Sequence, residues 1–269
     1  MKKKFIRSDD ALVAIRTGGK LLGEILEKVS CAVKVGVTTK SLDDYACELI
    51  VAAGGRPAFL GYQISPRYPA YPAGLCVSVN DEVVHGIPKS TQVLVAGDIV
   101  GLDIGMEWPY KKNGPAGFYT DTAMTVSAGT ASAEDKKLMD RTYAALRAGI
   151  SAAHDGGEVR DISRAIEGSL KPFGYGIVED LVGHGVGYSV HEDPQIPNFL
   201  YRGAPVIPLK SGMVLALEPM VNRGGSEVYT DRDAWTIKTS DRSRSAHFEH
   251  TIIITDTGAD IVTLRPGEL

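Results

Sequence analysis

The sequence of 269 residues has few cysteines, a small net charge and no long apolar run. Its three cysteines, Cys31, Cys47 and Cys76, are scattered and form no CxxC pair, which argues against a disulfide framework and a cysteine zinc site. A net charge of −4 at pH 7 gives no electrostatic reason to expect nucleic acid or an anionic membrane as a partner. These absences indicate a globular protein of a reducing compartment.

The amino terminus also lacks the pattern of a secretion signal. Its first four residues, Met1-Lys-Lys-Lys, are basic, but the amphipathic stretch that follows contains Asp9, Asp10 and Arg16. A signal peptide needs an uninterrupted apolar stretch at that place. No run of about 18 apolar residues, the length of a membrane span, occurs in the chain. We therefore predict a cytosolic protein without a membrane partner.

The spacing of apolar residues predicts the order of helices and strands. Apolar residues three and four positions apart predict helices over residues 11–29, 41–53, 133–153 and 158–170. Alternating and β-branched residues predict strands over residues 76–79, 98–104, 119–126, 212–220 and 246–255. Residues 59–74 are dense in Pro, Tyr and Gly and are predicted to form a loop.

The second half of the chain repeats the order of the first. In GDIVGLD, Gly97 precedes Asp103 by six residues, and in GMVLALE, Gly212 precedes Glu218 by six. Further matches pair Gly36 before Leu42 with Gly156 before Ile162, and the run from Asp121 to Gly129 with that from Glu249 to Gly258. Together they predict an internal duplication of the order helix–helix–hairpin.

Each half then contributes one carboxylate from each of its two late strands: Asp103, Asp121, Glu218 and Glu249. Burying such groups is costly unless a positive charge neutralises them, and these strands contain no Lys or Arg. A shared cation or a pair of cations would neutralise them. His184, in Gly183-His-Gly-Val-Gly, is a fifth candidate ligand, because the glycines leave room around its imidazole.

Four carboxylates and one imidazole form an oxygen-rich ligand set, which favours divalent ions such as Mn, Fe or Co over a structural zinc. Bridging carboxylates could hold two ions about 3.5–4 Å apart with a polarised water between them. Taken singly, the residues have simpler explanations: an Asp in a strand is commonly at an edge or in a salt bridge, and a glycine-flanked His is commonly structural. The matching positions in two repeats favour the metal site.

Four motifs resemble those of type I methionine aminopeptidases. They are VNDEVVHGIP (residues 79–88), GHGVG with HEDP (183–187 and 191–194), GMVLALEPM (212–220) and SAHFEHT (245–251). The likeness runs in order from about residue 8 to residue 265. It implies an α+β pita-bread fold, in which helices cover an antiparallel sheet of two pseudo-symmetric halves. It also implies that residues 1–269 form a single catalytic metallopeptidase domain.

The resemblance assigns roles to the candidate residues. It implies that two divalent ions (Co, Mn, Fe or Zn) are bound by Asp103, Asp121, His184, Glu218 and Glu249, with Asp121 and Glu249 as bridges. Glu218 would also carry the proton, His191 would donate to the developing oxyanion, and His85 would hold the amide beyond it. A methionine pocket is implied for Phe59, Tyr62, Tyr71, Cys76 and Trp235, although Phe59 and Tyr62 could equally serve core packing.

The implied activity is that of a metal-dependent hydrolase, an aminopeptidase that removes the initiator methionine from peptides and nascent chains before a small second residue. The family also implies a cytoplasmic monomer, with the ribosome as a possible further contact. Type I is indicated because Glu218 and Glu249 are only 31 residues apart and no amino-terminal extension is present. Two alternatives are an Xaa-Pro aminopeptidase, which would carry a large amino-terminal domain, and a binding module that has lost its metals, whose ligands would be substituted.

The sequence departs from the family pattern at four places. Residues 63–74 and 108–118 form longer loops than usual, Val190 replaces a common aromatic residue, and His247 replaces a common glutamine. None of these positions is a predicted ligand. We therefore expect the departures to alter the shape of the methionine pocket.

Overall fold

The computed structural model of the chain describes residues 5–268, so the basic residues 1–4 considered above lie outside it, as does residue 269. Its helices are α1 (Asp9–Cys31), α2 (Thr39–Ala52), α3 (Ala133–Ala152) and α4 (Val159–Leu170). The first three begin at Ser8, Thr38 and Ser132, whose hydroxyls accept a hydrogen bond from a backbone N–H three residues ahead. All four predicted helices are confirmed to within two residues at each end.

Two helix pairs alternate with strands that form one large antiparallel sheet and two small ones. The strands are β1 (Arg56–Pro57), β2 (Leu75–Val79), β3 (Glu82–Val84), β4 (Ile99–Trp108), β5 (Phe118–Ser127), β6 (Gly176–Ile177), β7 (Gly183–Gly185), β8 (Glu192–Ile196), β9 (Val214–Leu217), β10 (Met220–Asn222), β11 (Val228–Thr230), β12 (Ile237–Thr239), β13 (Ser245–His247), β14 (Glu249–Thr255) and β15 (Gly258–Ile261). The large sheet has the order β1-β4-β5-β14-β9-β7-β8, with β2 on β4 and β15 on β14.

The small sheets have the orders β13-β10-β6 and β11-β12-β3. The three strands predicted in the first half are confirmed as β2, β4 and β5, and residues 59–74 form the predicted loop. Within residues 5–268, no helix has both the length and the apolar character that a membrane crossing requires.

The two long strands predicted in the second half, over residues 212–220 and 246–255, are wrong in one respect, because each is split in two. Pro219 separates β9 from β10, since proline has no N–H for the sheet ladder. Phe248 separates β13 from β14, and its backbone N–H donates to the Pro219 carbonyl at 3.4 Å. At these breaks the chain passes between the large sheet and a small one.

The predicted duplication is visible in the backbone hydrogen bonds. The Gly97 N–H donates to the Ala128 carbonyl at 2.9 Å, and in the second half the Gly212 N–H donates to the Ile254 carbonyl at 2.9 Å. Both glycines have a left-handed backbone, with φ of +89° and +87°. The turns before α2 and α4 are also joined by equivalent bonds to the segments that precede β4 and β9. The α+β pita-bread fold with two pseudo-symmetric halves is confirmed.

Strand alternation separates the core from the carboxylates. On β4, Leu102 and Ile104 pack into a buried cluster with α1 and α2, so Asp103 between them points to the opposite side of the sheet. On β9, Leu217 packs into the cluster formed with α3 and α4, and Glu218 follows on the other side. The helices therefore cover the apolar faces of both halves, and the acids are left on the uncovered side.

Candidate metal centre

The five predicted ligands lie on five strands that are consecutive neighbours in the large sheet, in the order β4-β5-β14-β9-β7. In that order they are Asp103, Asp121, Glu249, Glu218, which follows β9 directly, and His184. The register places Ala123 opposite both Asp103 and Glu249, so Asp121, two residues from Ala123 on the same strand, shares their face. Residues that are up to 146 positions apart are thereby brought together (249 − 103).

Two overlapping groups of ligand atoms result. In each group the ligand atoms lie within 4.8 Å of one another. One group is Asp103, Asp121 and Glu249, and the other is His184, Glu218 and Glu249. Glu249 belongs to both. A third group of the same size joins Asp121 and His184 to His191, a histidine that the sequence resemblance assigned to substrate rather than to metal.

Hydroxyl groups fix the strands that carry the two central acids. The Thr251 hydroxyl donates to the Asp121 carbonyl at 2.7 Å and accepts from the Asp121 N–H at 2.9 Å. The Thr122 hydroxyl donates to the Glu249 carbonyl at 2.8 Å. These bonds use only the backbone of the two acids, so both carboxylates stay free to face the centre.

The buried acidic side chains lack hydrogen-bond partners and repel one another, so they are suited to bind a cation. Asp103, Asp121 and Glu249 are buried, and one oxygen of each (Oδ1, Oδ1 and Oε1) has no hydrogen-bond partner among residues 5–268. Burial, with further repulsion from Glu218, raises the pKa of Asp103 to about 7, and burial raises that of Glu218 to about 8. Burial and then neighbouring carboxylates raise the pKa of Asp121 and of Glu249 as well. A divalent ion would relieve both the repulsion and the missing contacts.

His184 has the tautomer that a metal ligand requires. Its Nδ1 lies 3.0 Å from the Gly185 carbonyl, which can only accept, so the proton is on Nδ1 and the Nε2 lone pair is free. The Nε2 atom is 3.4 Å from Glu218 Oε1. Burial, followed by the neighbouring His191, lowers the pKa of His184 to about 3, so the ring is neutral.

The flanking glycines have a different purpose from the predicted one. A Cβ on Gly183 would lie 2.5 Å from the Ala216 carbonyl oxygen, and one on Gly185 would lie 2.2 Å from the Asp193 carbonyl oxygen. The glycines therefore let β7 approach its neighbouring strands closely. Room around the imidazole is not their main effect.

The ligands form the floor of a cavity of about 300 Å³. All five residues predicted for the methionine pocket line this cavity, namely Phe59, Tyr62, Tyr71, Cys76 and Trp235. His85 and His191 line it as well. Several other residues that line the cavity were not predicted from the sequence, among them Ile64, Val84, Asp180, Leu181, Gln195 and Met220. Met220 and Val84 stand inside quoted motifs, but nothing in their own spacing indicated a position at the cavity.

Aromatic side chains form the wall of the cavity. The Tyr71 and Trp235 rings meet edge to face with centroids 5.2 Å apart, and the His85 ring meets Trp235 edge to face at 6.2 Å. The Tyr71 hydroxyl donates to the Gly86 carbonyl at 2.9 Å, and Trp235 Nε1 donates to the Pro69 carbonyl at 3.0 Å. The long loop of residues 63–74 thus helps to hold the wall in place.

Two of the sequence departures contact this site. Val190 is buried in the cluster that contains Phe59, Tyr71 and Trp235. The buried His247 places its Nε2 3.3 Å from Glu218 Oε2, beside a predicted ligand. The departures therefore touch both the apolar wall and the acidic floor.

Fold and site together define the class. A duplicated pita-bread sheet with a buried cluster of four carboxylates and a neutral histidine is the arrangement of a metal-dependent hydrolase. The sequence pattern of metallopeptidase family M24 matches residues 13–256, and the chain belongs to this family. Family membership and the ligand cluster together support the use of a divalent metal.

Named relatives lie within the same family. Methionine aminopeptidase 1 of Bacillus subtilis is 43% identical over 93% of this chain and 94% of its own length. The methionine aminopeptidase of Aquifex aeolicus is 41% identical over 93% of this chain and 94% of its own. Both comparisons extend over nearly the full length of each chain. The predicted resemblance is therefore confirmed.

Solved structures give the same result. The crystal structure of methionine aminopeptidase from Rickettsia prowazekii is similar with a TM-score of 0.88 and 35% identity, over 96% of this chain and 99% of that one. A prolidase from Pyrococcus horikoshii has a TM-score of 0.75 at 18% identity and is covered to 64% of its length. The prolidase likeness shows the fold alone.

A divalent ion should stabilise the folded protein. Any ion that binds the native state alone contributes about 2.7 kcal/mol to the free energy of unfolding at 100 times its dissociation constant. The expected result is a higher denaturant midpoint when Mn, Co, Fe(II) or Zn is added to chelator-stripped protein. Potassium chloride of equal ionic strength is the control. Equal stability with and without every divalent ion would contradict metal binding by these carboxylates.

Proposed function

We propose that this metallopeptidase is a methionine aminopeptidase, which removes the amino-terminal methionine of peptides and nascent proteins when the second residue is small. The observation that carries this proposal is a cavity in which an acidic ligand cluster meets an aromatic wall. The wall suits an apolar side chain, and the cluster lies directly beneath it. The full-length similarity to methionine aminopeptidases supports the same activity.

Two divalent ions fit the two overlapping ligand groups. Asp121 and Glu249 would bridge, because Glu249 belongs to both carboxylate groups and Asp121 approaches both Asp103 and His184. Asp103 would complete the shell of one ion, and His184 with Glu218 that of the other. When bound, Co, Mn, Fe or Zn supplies the positive charge that acidifies a water and polarises the scissile carbonyl.

Glu218 is placed to transfer a proton. Its two carboxylate oxygens lie 3.4 Å from His184 Nε2 and 3.3 Å from His247 Nε2. Its carboxylate lines the same cavity as the other ligands, where it can accept a proton from water. In this role Glu218 accepts a proton from the attacking water at a carboxylate oxygen and then donates it to the leaving amine.

Two histidines hold the peptide bond. His191 faces the cavity beside Asp121 and His184, from where its ring N–H would donate to the oxyanion as it develops. His85 lies against Trp235 on the same cavity and would bond the amide beyond the scissile bond. Burial lowers the pKa of His85 to about 4, so its ring is neutral.

The wall of the cavity selects the first residue. Tyr62, Tyr71 and Trp235 present aromatic surfaces, against which the unbranched, polarizable thioether of methionine packs well. Phe59 and the buried Cys76 complete this methionine pocket. The second residue would lie beside His85, near Val84 and Leu181, which line the same cavity, and we expect little space there for a bulky side chain.

A peptide series tests the substrate rule. Peptides that vary only at the first two positions should show the highest kcat/KM for Met before Gly, Ala or Ser, with a loss of roughly tenfold or more before Leu, Lys or Phe. Leucine or norleucine at the first position should retain modest activity if Val190, which is smaller than the common aromatic residue and packs against the wall, leaves room for them. A preference for Xaa-Pro or for a bulky second residue would exclude this function. Uniform inactivity of metal-loaded protein would favour a binding module.

We extend the proposal to the domain organisation, the location and the oligomeric state of the enzyme. Residues 1–269 act as a single catalytic domain, as a cytosolic monomer that meets its substrates at the ribosome. The one continuous nine-stranded sheet that spans both halves supports the single domain. Light scattering during gel filtration should give the mass of one chain, 28.7 kDa. Co-sedimentation with ribosomes, at increasing salt, tests the association.

A further inference from the structure

Tyr62 makes a polar contact that a methionine pocket does not need. Its hydroxyl lies 2.9 Å from Nδ1 of His191, 129 residues further along the chain. The two rings are tilted by 57° with centroids 5.1 Å apart, so they are also in contact. Tyr62 is half-buried, and its hydroxyl makes no other hydrogen bond within residues 5–268.

The direction of this bond decides what His191 can do. If Nδ1 donates its proton to Tyr62, then Nε2 carries a bare lone pair, and the ring is a metal ligand that cannot donate. If the Tyr62 hydroxyl donates to Nδ1, then Nε2 carries the proton, and the ring is a donor that cannot bind metal. The second alternative would explain why His191, although within ligand distance of Asp121 and His184, serves substrate.

Electrostatics favour the second alternative. The floor of the cavity presents the oxygens of four acidic side chains, which accept a hydrogen bond from an N–H directed at them and repel a lone pair. Burial raises the pKa of Tyr62, so its hydroxyl keeps the proton that it donates. A neutral imidazole carries one ring proton, so a hydroxyl that donates to Nδ1 leaves that proton on Nε2.

From this geometry we infer that Tyr62 is a positioning residue, whose hydroxyl fixes the Nε2–H tautomer of His191 and keeps its ring a donor to substrate. The role of the tautomer, donation to the substrate, rests on the proposed function. The tautomer itself does not depend on that function. The aromatic ring of Tyr62 can line the methionine pocket at the same time. The two roles are separable because only the positioning of His191 needs the hydroxyl.

The test replaces Tyr62 by phenylalanine, which keeps the ring and removes the hydroxyl. Two-bond ¹H–¹⁵N correlation spectra of the histidine rings distinguish the tautomers of His191, with His191→Ala giving the assignment. Wild-type protein should show the Nε2–H tautomer, both stripped and zinc-loaded. Tyr62→Phe should show a mixture or the Nδ1–H tautomer. Tyr68→Phe removes a hydroxyl from the same loop, outside the cavity lining, and should match wild type in spectrum and in activity.

Activity gives a second, independent readout. Removal of one oxyanion donor costs on the order of 10²–10³ in kcat, and loss of its orientation should cost part of that, about tenfold or more. KM for a Met-Ala peptide should change by less than about threefold, because the ring that contacts methionine remains. In a His191→Ala background, Tyr62→Phe should have no further effect, as expected if the hydroxyl acts through His191.

Two spectroscopic results would overturn the inference. One is a wild-type spectrum with the proton on Nδ1 of His191, and the other is an unchanged tautomer in Tyr62→Phe. An additive loss of kcat in the double variant would also show that Tyr62 acts by another route. If wild-type protein fails to cleave Met peptides, the proposed function fails, but the spectra still decide the tautomer.

Discussion

Glu249→Ala should lose bound metal and peptide cleavage together. Glu249 is 1% exposed and is the one carboxylate that belongs to both groups of carboxylate ligands, so its removal weakens both proposed metal sites. The loss of metal affinity should exceed the roughly 10–100-fold that follows removal of a residue that only supports a ligand. Metal content after dialysis and kcat/KM on a Met-Ala peptide measure the two effects.

The isosteric variant Glu249→Gln separates charge from packing. Burial, then repulsion from Asp121, Glu218 and Asp103, raises the pKa of Glu249, so its charge is unfavourable in the stripped fold. Stripped Glu249→Gln should therefore be at least as stable as stripped wild type. An acid whose pKa is raised in the fold destabilises the fold once the unfolded chain has released its proton, so the difference should shrink as the pH falls to the ordinary range of glutamate and vanish below it. Metal should stabilise wild type and leave the variant unchanged.

A matched control removes a carboxylate elsewhere. Glu48→Ala changes an exposed acid on α2 and should keep both metal and turnover. Near-normal turnover and metal content in Glu249→Ala would contradict the bridging role. Loss of metal without loss of turnover would instead show that the reaction does not depend on metal.

The carboxylate cluster could be predicted because its information is local and repeated. Asp103 alternates with Leu102 and Ile104, so the strand alone shows that it points away from the core. The six-residue interval after Gly97 recurs after Gly212, where the same left-handed turn starts the equivalent strand. Such a pattern needs no knowledge of distant contacts.

The rest of the site depends on contacts that no local pattern records. Apolar residues stand on both sides of Glu218 and Pro219, so their pattern could not show that the chain leaves one sheet for another there. Tyr62 looked like pocket or core, because an aromatic ring in a Pro-rich loop says nothing about a hydroxyl partner. The partner, His191, is placed by β8 and its pairing with β7. Tertiary packing alone brings these residues together.

The two neighbouring histidines of the site should give opposite results when each is replaced by alanine. Their rings are 4.5 Å apart at the centroids and meet edge to face, so distance alone does not separate their roles. The hydrogen-bond partners of their Nδ1 atoms separate the two roles. His184 faces the Gly185 carbonyl, which can only accept and so leaves Nε2 as a lone pair for metal. His191 faces the Tyr62 hydroxyl, which can donate and so leave Nε2 with a proton.

His191→Ala should therefore keep its metal while kcat falls by on the order of 10²–10³, the effect of losing one oxyanion donor. His184→Ala should instead release metal on dialysis, and excess metal should restore part of its activity, because the other ligands remain. Metal analysis before and after dialysis, with kcat and KM at several metal concentrations, measures both. If His191→Ala releases metal while His184→Ala retains it, then His191 is the ligand and the two roles are exchanged. The tautomers argue for the first outcome, because a ring nitrogen that carries a proton has no lone pair for a metal.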